Sequence, residues 1–182
     1  DLPAVEETYL RIISALVPGE RVNLLVRDRE MGERVRGLLA GAGINPGQVT
    51  LIPFDYADVW IRDYGPAFLV NRKERRLGMA AWEFNAWGGK YPALARDARV
   101  PSCLNGRLGL PLFRPGIVLE GGSIDVNGRG CALTTEQCLK NPNRNPGLSK
   151  GGLEGFLGEY LGAPGVIWLE GGIAGDDTDG HI

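Results

Sequence analysis

Apolar residues recur at helical spacing from Val5 to Leu16 (Val5, Tyr9, Ile12, Ile13, Leu16), and Pro18-Gly19 closes the run, so a first helix is predicted there. The pattern then changes. Val22 to Val26 is a continuous apolar run of the kind that forms a buried strand, Glu30 to Leu39 reads as a helix ending at Gly41, and Val49 to Phe54 is a second strand. After a polar loop, Ala67 to Val70 and Gly78 to Phe84 flank the charged turn Asn71-Arg72-Lys73-Glu74-Arg75-Arg76, the pattern of an antiparallel hairpin. A second hairpin joins Ser123 to Val126 with Cys131 to Thr134 through Asn127-Gly128. Ser149 is placed to cap a helix reaching Leu161, and Val166 to Leu169 is a further strand.

Aligned on each other, these pieces show a weak repeat. Phe68-Leu69-Val70-Asn71 recurs as Ile124-Asp125-Val126-Asn127, 56 positions on, and Leu119-Glu120-Gly121-Gly122 recurs as Leu169-Glu170-Gly171-Gly172, 50 positions on. Each unit holds two or three strands and one helix. A mixed α+β chain with a period in the fifties suggests copies arranged around an axis, because one such unit cannot cover its own apolar faces. An ordinary α/β sandwich is the alternative.

Composition narrows the function. With 182 residues, 43% of them hydrophobic and 23% charged, the chain is long enough for a real core and suggests one domain. A net charge of −2 provides no basic field for a polyanion, which argues against nucleic acid and favours cationic small molecules. No apolar run approaches the roughly 20 residues that span a bilayer, and the start has no leader-like pattern, so no membrane association and a cytoplasmic address are expected. Cys103, Cys131 and Cys138 have no CxxC spacing, which argues against a disulfide framework or a zinc knuckle. The opening Asp1-Leu2-Pro3 and the ending Gly180-His181-Ile182 suggest an excised piece, the N-terminal part of a longer single domain.

Three clusters could carry chemistry. Asp55 to Pro66 mixes carboxylates with aromatics, and a buried Asp against aromatic walls would suit a planar cation through paired N–H bonds and cation–π contact; the competing reading has Asp63 pairing with Arg62 or capping the turn. Glu120 leaves an apolar strand just before two glycines, where a backbone can approach a ligand, or else it is a solvated turn residue. Gly175 to His181 holds the only histidine, with Asp176, Asp177 and Asp179 close enough in sequence to favour a proton-donating imidazolium. A metal is disfavoured there, because neither the calcium-loop pattern nor enough His and Cys for zinc is present. Asp63 and Glu120 lie 57 positions apart and Glu120 and His181 lie 61 apart, so each candidate sits about one repeat from the next.

Five motifs carry a resemblance: Trp60 to Pro66, Trp82 to Gly89, Glu120 to Ser123, Thr134 to Leu139 with Asn141 to Pro146, and Gly175 to His181. Together, in this order, they resemble the agmatine deiminase family, which includes the bacterial peptidylarginine deiminases. The resemblance implies a pentein-type α/β propeller of ββαβ units, with about three of five units present. It implies a cofactor-free deimination of a small-molecule guanidinium substrate through a covalent amidino-cysteine, or alternatively of arginine within peptides. Asp63 matches the guanidinium-binding Asp, Glu120 the second carboxylate and His181 the general acid/base, while Trp60 and Asp177 match positions lining the substrate pocket. The family's Asp two residues after the His and its nucleophilic Cys would fall beyond Ile182, so no turnover by these residues alone is expected. A non-catalytic guanidine-binding module is the alternative from another class, and the oligomeric state, a homo-oligomer included, is left open.

Overall fold

The computed structural model describes residues 1–182, which divide into two compact units, Asp1–Asp55 and Tyr56–Ile182. In the first unit, helix α1 (Leu2–Leu16) precedes strand β1 (Val22–Val26), helix α2 (Arg29–Gly41) and strand β2 (Val49–Pro53), and β1 pairs with β2 in parallel. Parallel neighbours need a crossover, and α2 provides it. Asp28 starts α2 where the sequence changes from apolar run to helical period, its carboxylate accepting from the Met31 N–H. Ile13, Leu39, Ile44 and Val49 form the core of this unit.

The second unit contains the same arrangement twice. Strands β3 (Ala67–Asn71) and β4 (Arg76–Ala80) form an antiparallel hairpin; a 3-10 turn (Pro92–Arg99) and helix α5 (Val100–Leu108) lead to β5 (Leu112–Phe113), parallel to β4. Two short turns flank the hairpin, α3 (Ile61–Tyr64) ahead of it and α4 (Ala86–Gly89) between it and the 3-10 turn. Strands β6 (Ile124–Val126) and β7 (Cys131–Thr135) form the second hairpin, followed by the short helix α6 (Glu136–Leu139), helix α7 (Lys150–Leu161) and β8 (Gly165–Leu169), parallel to β7. Each set is therefore ββαβ.

The repeated asparagine has a physical reason. Asn71 Oδ1 accepts from the N–H groups of Lys73 and Glu74, and Asn127 Oδ1 accepts from those of Arg129 and Cys131, so each closes its hairpin turn with the same side chain. Ser149 caps α7 as expected, accepting from the Gly152 N–H. The run from Gly78 to Phe84 is not one strand: β4 ends at Ala80, and only Glu83 continues the sheet, through a single parallel bridge to Val118. The core joins both sets, with Trp82, Ile117 and Leu119 packed together with Leu139, Leu153 and Leu157. No helix is long and apolar enough to cross a membrane.

Candidate functional site

Side chains from four segments of the second unit meet at Glu120. This residue ends the stretch that bridges to Glu83, and its carboxylate is completely buried. Its Oε1 accepts from Arg144 Nε at 2.8 Å, and its Oε2 accepts from Arg144 Nη2 at 3.2 Å and from the Cys138 thiol at 3.2 Å. His181 Nε2 lies 3.2 Å from the same Oε2. Burial favours the neutral acid, but the hydrogen bonds from His181 and Arg144 outweigh it and hold the Glu120 carboxyl below its ordinary range. An ionised Glu120 accepts only, so His181 Nε2 carries the proton in that contact.

Asp63 forms the other side. It sits in α3, buried, with Oδ1 accepting from the Gly122 N–H at 2.8 Å and Oδ2 from the Trp87 indole at 3.1 Å. His181 Nδ1 is 4.0 Å from Asp63 Oδ1, so the imidazole stands between the two carboxylates. Gly122 is the floor under that gap: a Cβ there would lie 2.5 Å from His181 Nδ1 and 2.6 Å from Asp63 Oδ1. The glycine pair after Glu120 thus permits close approach of backbone to side chains, as the sequence suggested. Arg62 is turned away, donating to the Ile124 carbonyl, so the reading of Asp63 as its ion-pair partner does not hold.

The aspartates around the histidine take different roles. None of the three bonds to the imidazole ring, and only Asp176 interacts with its charge. Asp176 accepts from the backbone N–H of Gly180 and His181 and so shapes the loop, Asp177 is exposed and accepts from the Tyr91 hydroxyl, and Asp179 pairs with Lys90 at 2.6 Å and Arg144 at 2.7 Å. Burial opposes ionisation of Asp179, but bonds from Lys90 and Arg144 dominate and hold it down at about 2. Asp179 and Gly180 both have left-handed backbone, which turns the chain just before His181. Trp60 lies at the surface, 54% exposed, one residue before α3.

Three functional-site residues were not singled out from sequence. Trp87 sits inside a turn in which Ala86, Trp87, Gly88 and Gly89 all have positive φ, an unfavourable backbone for the two non-glycine residues. The turn aims its indole N–H at Asp63, and edge-to-face contacts with Phe84 at 5.2 Å and Tyr91 at 5.9 Å fix the ring. Asp97, buried within the 3-10 turn, accepts from the N–H groups of Ala57 and Asp58 and so anchors the loop leading to Trp60. Arg144 is the third. Its motif, Asn141 to Pro146, was visible, but nothing local shows that a buried Glu lies opposite it.

Glu120, Cys138 and His181 bring a carboxylate oxygen, a thiol and an imidazole nitrogen within 4.8 Å of one another, close enough for a soft divalent cation. Their chemistry fits poorly. Arg144 already neutralises Glu120, and burial followed by the Glu120 charge pushes the Cys138 thiol far above its ordinary range, away from the thiolate a metal needs.

The family model of Porphyromonas-type peptidyl-arginine deiminases matches residues 1–182. The chain belongs to that family. A Vibrio parahaemolyticus protein provisionally named an agmatine deiminase is 39% identical over 185 residues, covering all of this chain and 49% of its own length. The solved agmatine deiminase of Enterococcus faecalis is 33% identical with a TM-score of 0.84, covering 98% of this chain and 48% of that one. The C. jejuni agmatine deiminase with substrate bound is 34% identical with a TM-score of 0.83, covering 100% and 52%. The chain thus spans about half the length of the relatives it matches, and its mixed α/β fold is theirs.

Proposed function

We propose that this chain forms the guanidinium-holding half of a cofactor-free deiminase that hydrolyses agmatine to N-carbamoylputrescine and ammonia, acting in the cytoplasm as one part of a five-unit propeller. The supporting observation is the convergence of Asp63, His181 and Glu120 from three separate segments on one gap floored by Gly122. A guanidinium resists attack because its charge is delocalised, so the protein must localise it and protonate the leaving nitrogen. Asp63 faces the cation as a carboxylate already aligned by two donors. His181, backed by Glu120, moves the proton to the leaving ammonia and later takes one from water. Glu120 acts as the second negative charge through its fixed position and through His181, since Arg144 and Cys138 already use its oxygens. Trp60 and Asp177 lie further out, where they would line the approach of the substrate's alkyl chain.

The attacking thiolate comes from a cysteine outside residues 1–182. Cys138 is beside the site but fully buried, its thiol donates to Glu120, and its high pKa keeps it protonated; the bound-substrate structure of the C. jejuni relative carries a cysteine replaced by serine, consistent with a cysteine nucleophile in that enzyme. The family model favours a second reading, arginine within a peptide as substrate. Titration calorimetry with agmatine tests the binding step: heat that disappears in Asp63→Asn supports the reading, and heat unchanged by it refutes it. Ammonia release from agmatine but not from an acylarginine ester, by a protein carrying this chain together with the remainder of the family's length, separates the two substrates. Turnover by residues 1–182 that is abolished by Cys138→Ala would overturn the location of the nucleophile.

A further inference from the structure

Arg144 has no part in the reaction as derived above, yet it is one of the most completely engaged side chains in the molecule. The guanidinium is 1% exposed and all five of its N–H donors are used. Nε and Nη2 grip the two oxygens of Glu120, Nη2 also donates to the Thr178 carbonyl at 2.8 Å, and Nη1 donates to Asn143 Oδ1 at 2.9 Å and Asp179 Oδ2 at 2.7 Å. The loop that carries His181 is thereby tied at Thr178 and Asp179 to the same cation that orients Glu120. Space around it is fixed too. Gly88, at φ +74°, passes so close that a Cβ would meet Arg144 Nη1 at 2.6 Å.

We propose that Arg144 is a positioning residue: a built-in guanidinium that locks Glu120 and the His181 loop into one rigid body, so that Glu120 Oε2 always faces His181 Nε2. A bidentate fork does what a point charge cannot, because it fixes the plane of the carboxylate and the distance to the loop together. Glu120 left without it could rotate its oxygens away from the imidazole, and His181 would lose the acceptor that selects its tautomer. Saturation of Glu120 by an internal guanidinium also directs an incoming one to Asp63. This inference rests on the deiminase reading for its kinetic consequence only.

The test uses two variants and two readouts. Arg144→Lys keeps the charge and removes the fork; Asp179→Asn loosens the same clamp from its outer end, at a carboxylate 21% exposed. In the protein of residues 1–182, His181 is the sole histidine, so its ring nitrogens are read without overlap by long-range 15N–1H NMR. A single Nε2–H tautomer is expected in the native protein at alkaline pH and a tautomer mixture in Arg144→Lys, with Asp179→Asn between them. In a protein carrying the rest of the family's length, kcat for ammonia release falls about tenfold or more in Arg144→Lys while KM for agmatine stays within about twofold. A uniform tautomer in both variants, or a kcat within twofold of the native value, overturns the proposal. Should Arg144→Lys fail to fold, a uniform tautomer in Asp179→Asn overturns it alone. Absence of ammonia release by the native protein would count against the deiminase reading and would leave the tautomer result to decide the role of Arg144.

Discussion

The same substitution, glycine to alanine, should have opposite effects at two positions of the second unit. At Gly122 a Cβ would fall 2.5 Å from His181 Nδ1 and 2.6 Å from Asp63 Oδ1, about 1 Å inside ordinary contact on both sides. Neither neighbour can yield freely. Asp63 is held by the Gly122 N–H and the Trp87 indole, and His181 by Glu120. Overpacking of this kind costs about 1–3 kcal/mol, and if relief breaks the bond from Gly122 to the Asp63 carboxylate, about 1.5–3 kcal/mol more. Gly155 lies on the exposed side of α7 with nothing within 4 Å of a Cβ, so alanine there gains about 0.5–1 kcal/mol from helix propensity. The assay is urea unfolding followed by tryptophan fluorescence, which reports this unit because Trp60, Trp82, Trp87 and Trp168 all belong to it. With a slope of about 1–3 kcal/mol per molar urea, Gly122→Ala should lower the midpoint by roughly 1 M and Gly155→Ala should raise it slightly. A Gly122→Ala midpoint equal to the native one, with His181 still bonded to Glu120, would refute the packing argument on which the site description rests.

Other outcomes follow from the same geometry. Glu120→Ala should destabilise the second unit by about 3–5 kcal/mol in a urea melt, because it leaves Arg144 charged and buried without its main partner; Glu120→Gln should cost less. The folded pKa of Glu120 is depressed, so its contribution is complete above the unfolded value of about 4.3 and is lost as pH falls through the lower folded value, and Asp179 behaves alike down to about 2. Acid destabilisation should therefore set in below about pH 4 and deepen as pH falls towards about 2, and Asp179→Asn should unfold at higher pH than the native protein. Ser149→Ala removes the cap of α7 and should cost about 0.5–2 kcal/mol in the same melt. A thiol reagent at neutral pH should label Cys103 and Cys131 in the folded protein and reach Cys138 only on unfolding; rapid labelling of all three would contradict the protonated, enclosed thiol.

Much of the backbone was legible because its signals are local. The helical period of α2, the apolar runs of β1 and β2, both hairpins and the Ser149 cap each depend on residues within a few positions of one another, and each is present. Where the sequence misled, the deciding partner was distant. The stretch after Ala80 is apolar like a strand, but Trp82 and Phe84 are buried by packing while the backbone leaves the hairpin, pairing only once more through Glu83. Helix α5 follows a proline-led 3-10 turn whose weak period gives no clear helical stripe, so it went unread. Of the aspartates next to His181, only Asp176 interacts with its charge; Asp177 and Asp179 pair with Tyr91, Lys90 and Arg144, partners distant in sequence that their order does not reveal.

The two copies of Leu-Glu-Gly-Gly show how far a motif can specify a site. In both, the backbone does the same thing: the Gly122 N–H donates to the Asp63 side chain at 2.8 Å, and the Gly172 N–H donates to the Gln137 side chain at 3.2 Å. The sequence repeat therefore encodes a repeated backbone donor. Function separates at the acceptor and at the glutamate. The first copy meets a carboxylate and the second a neutral amide, and Glu120 is buried against five-donor Arg144 while Glu170 points into solvent, only its carbonyl used, by the Gln137 N–H. A buried carboxylate is tolerable only where a matched cation accompanies it, since an unpaired one would be protonated or expelled. The presence of Arg144 opposite one copy and not the other is thus what makes Glu120 a permanent internal charge, and a permanent charge at that distance from the only imidazole is what turns a structural repeat into a candidate catalytic centre.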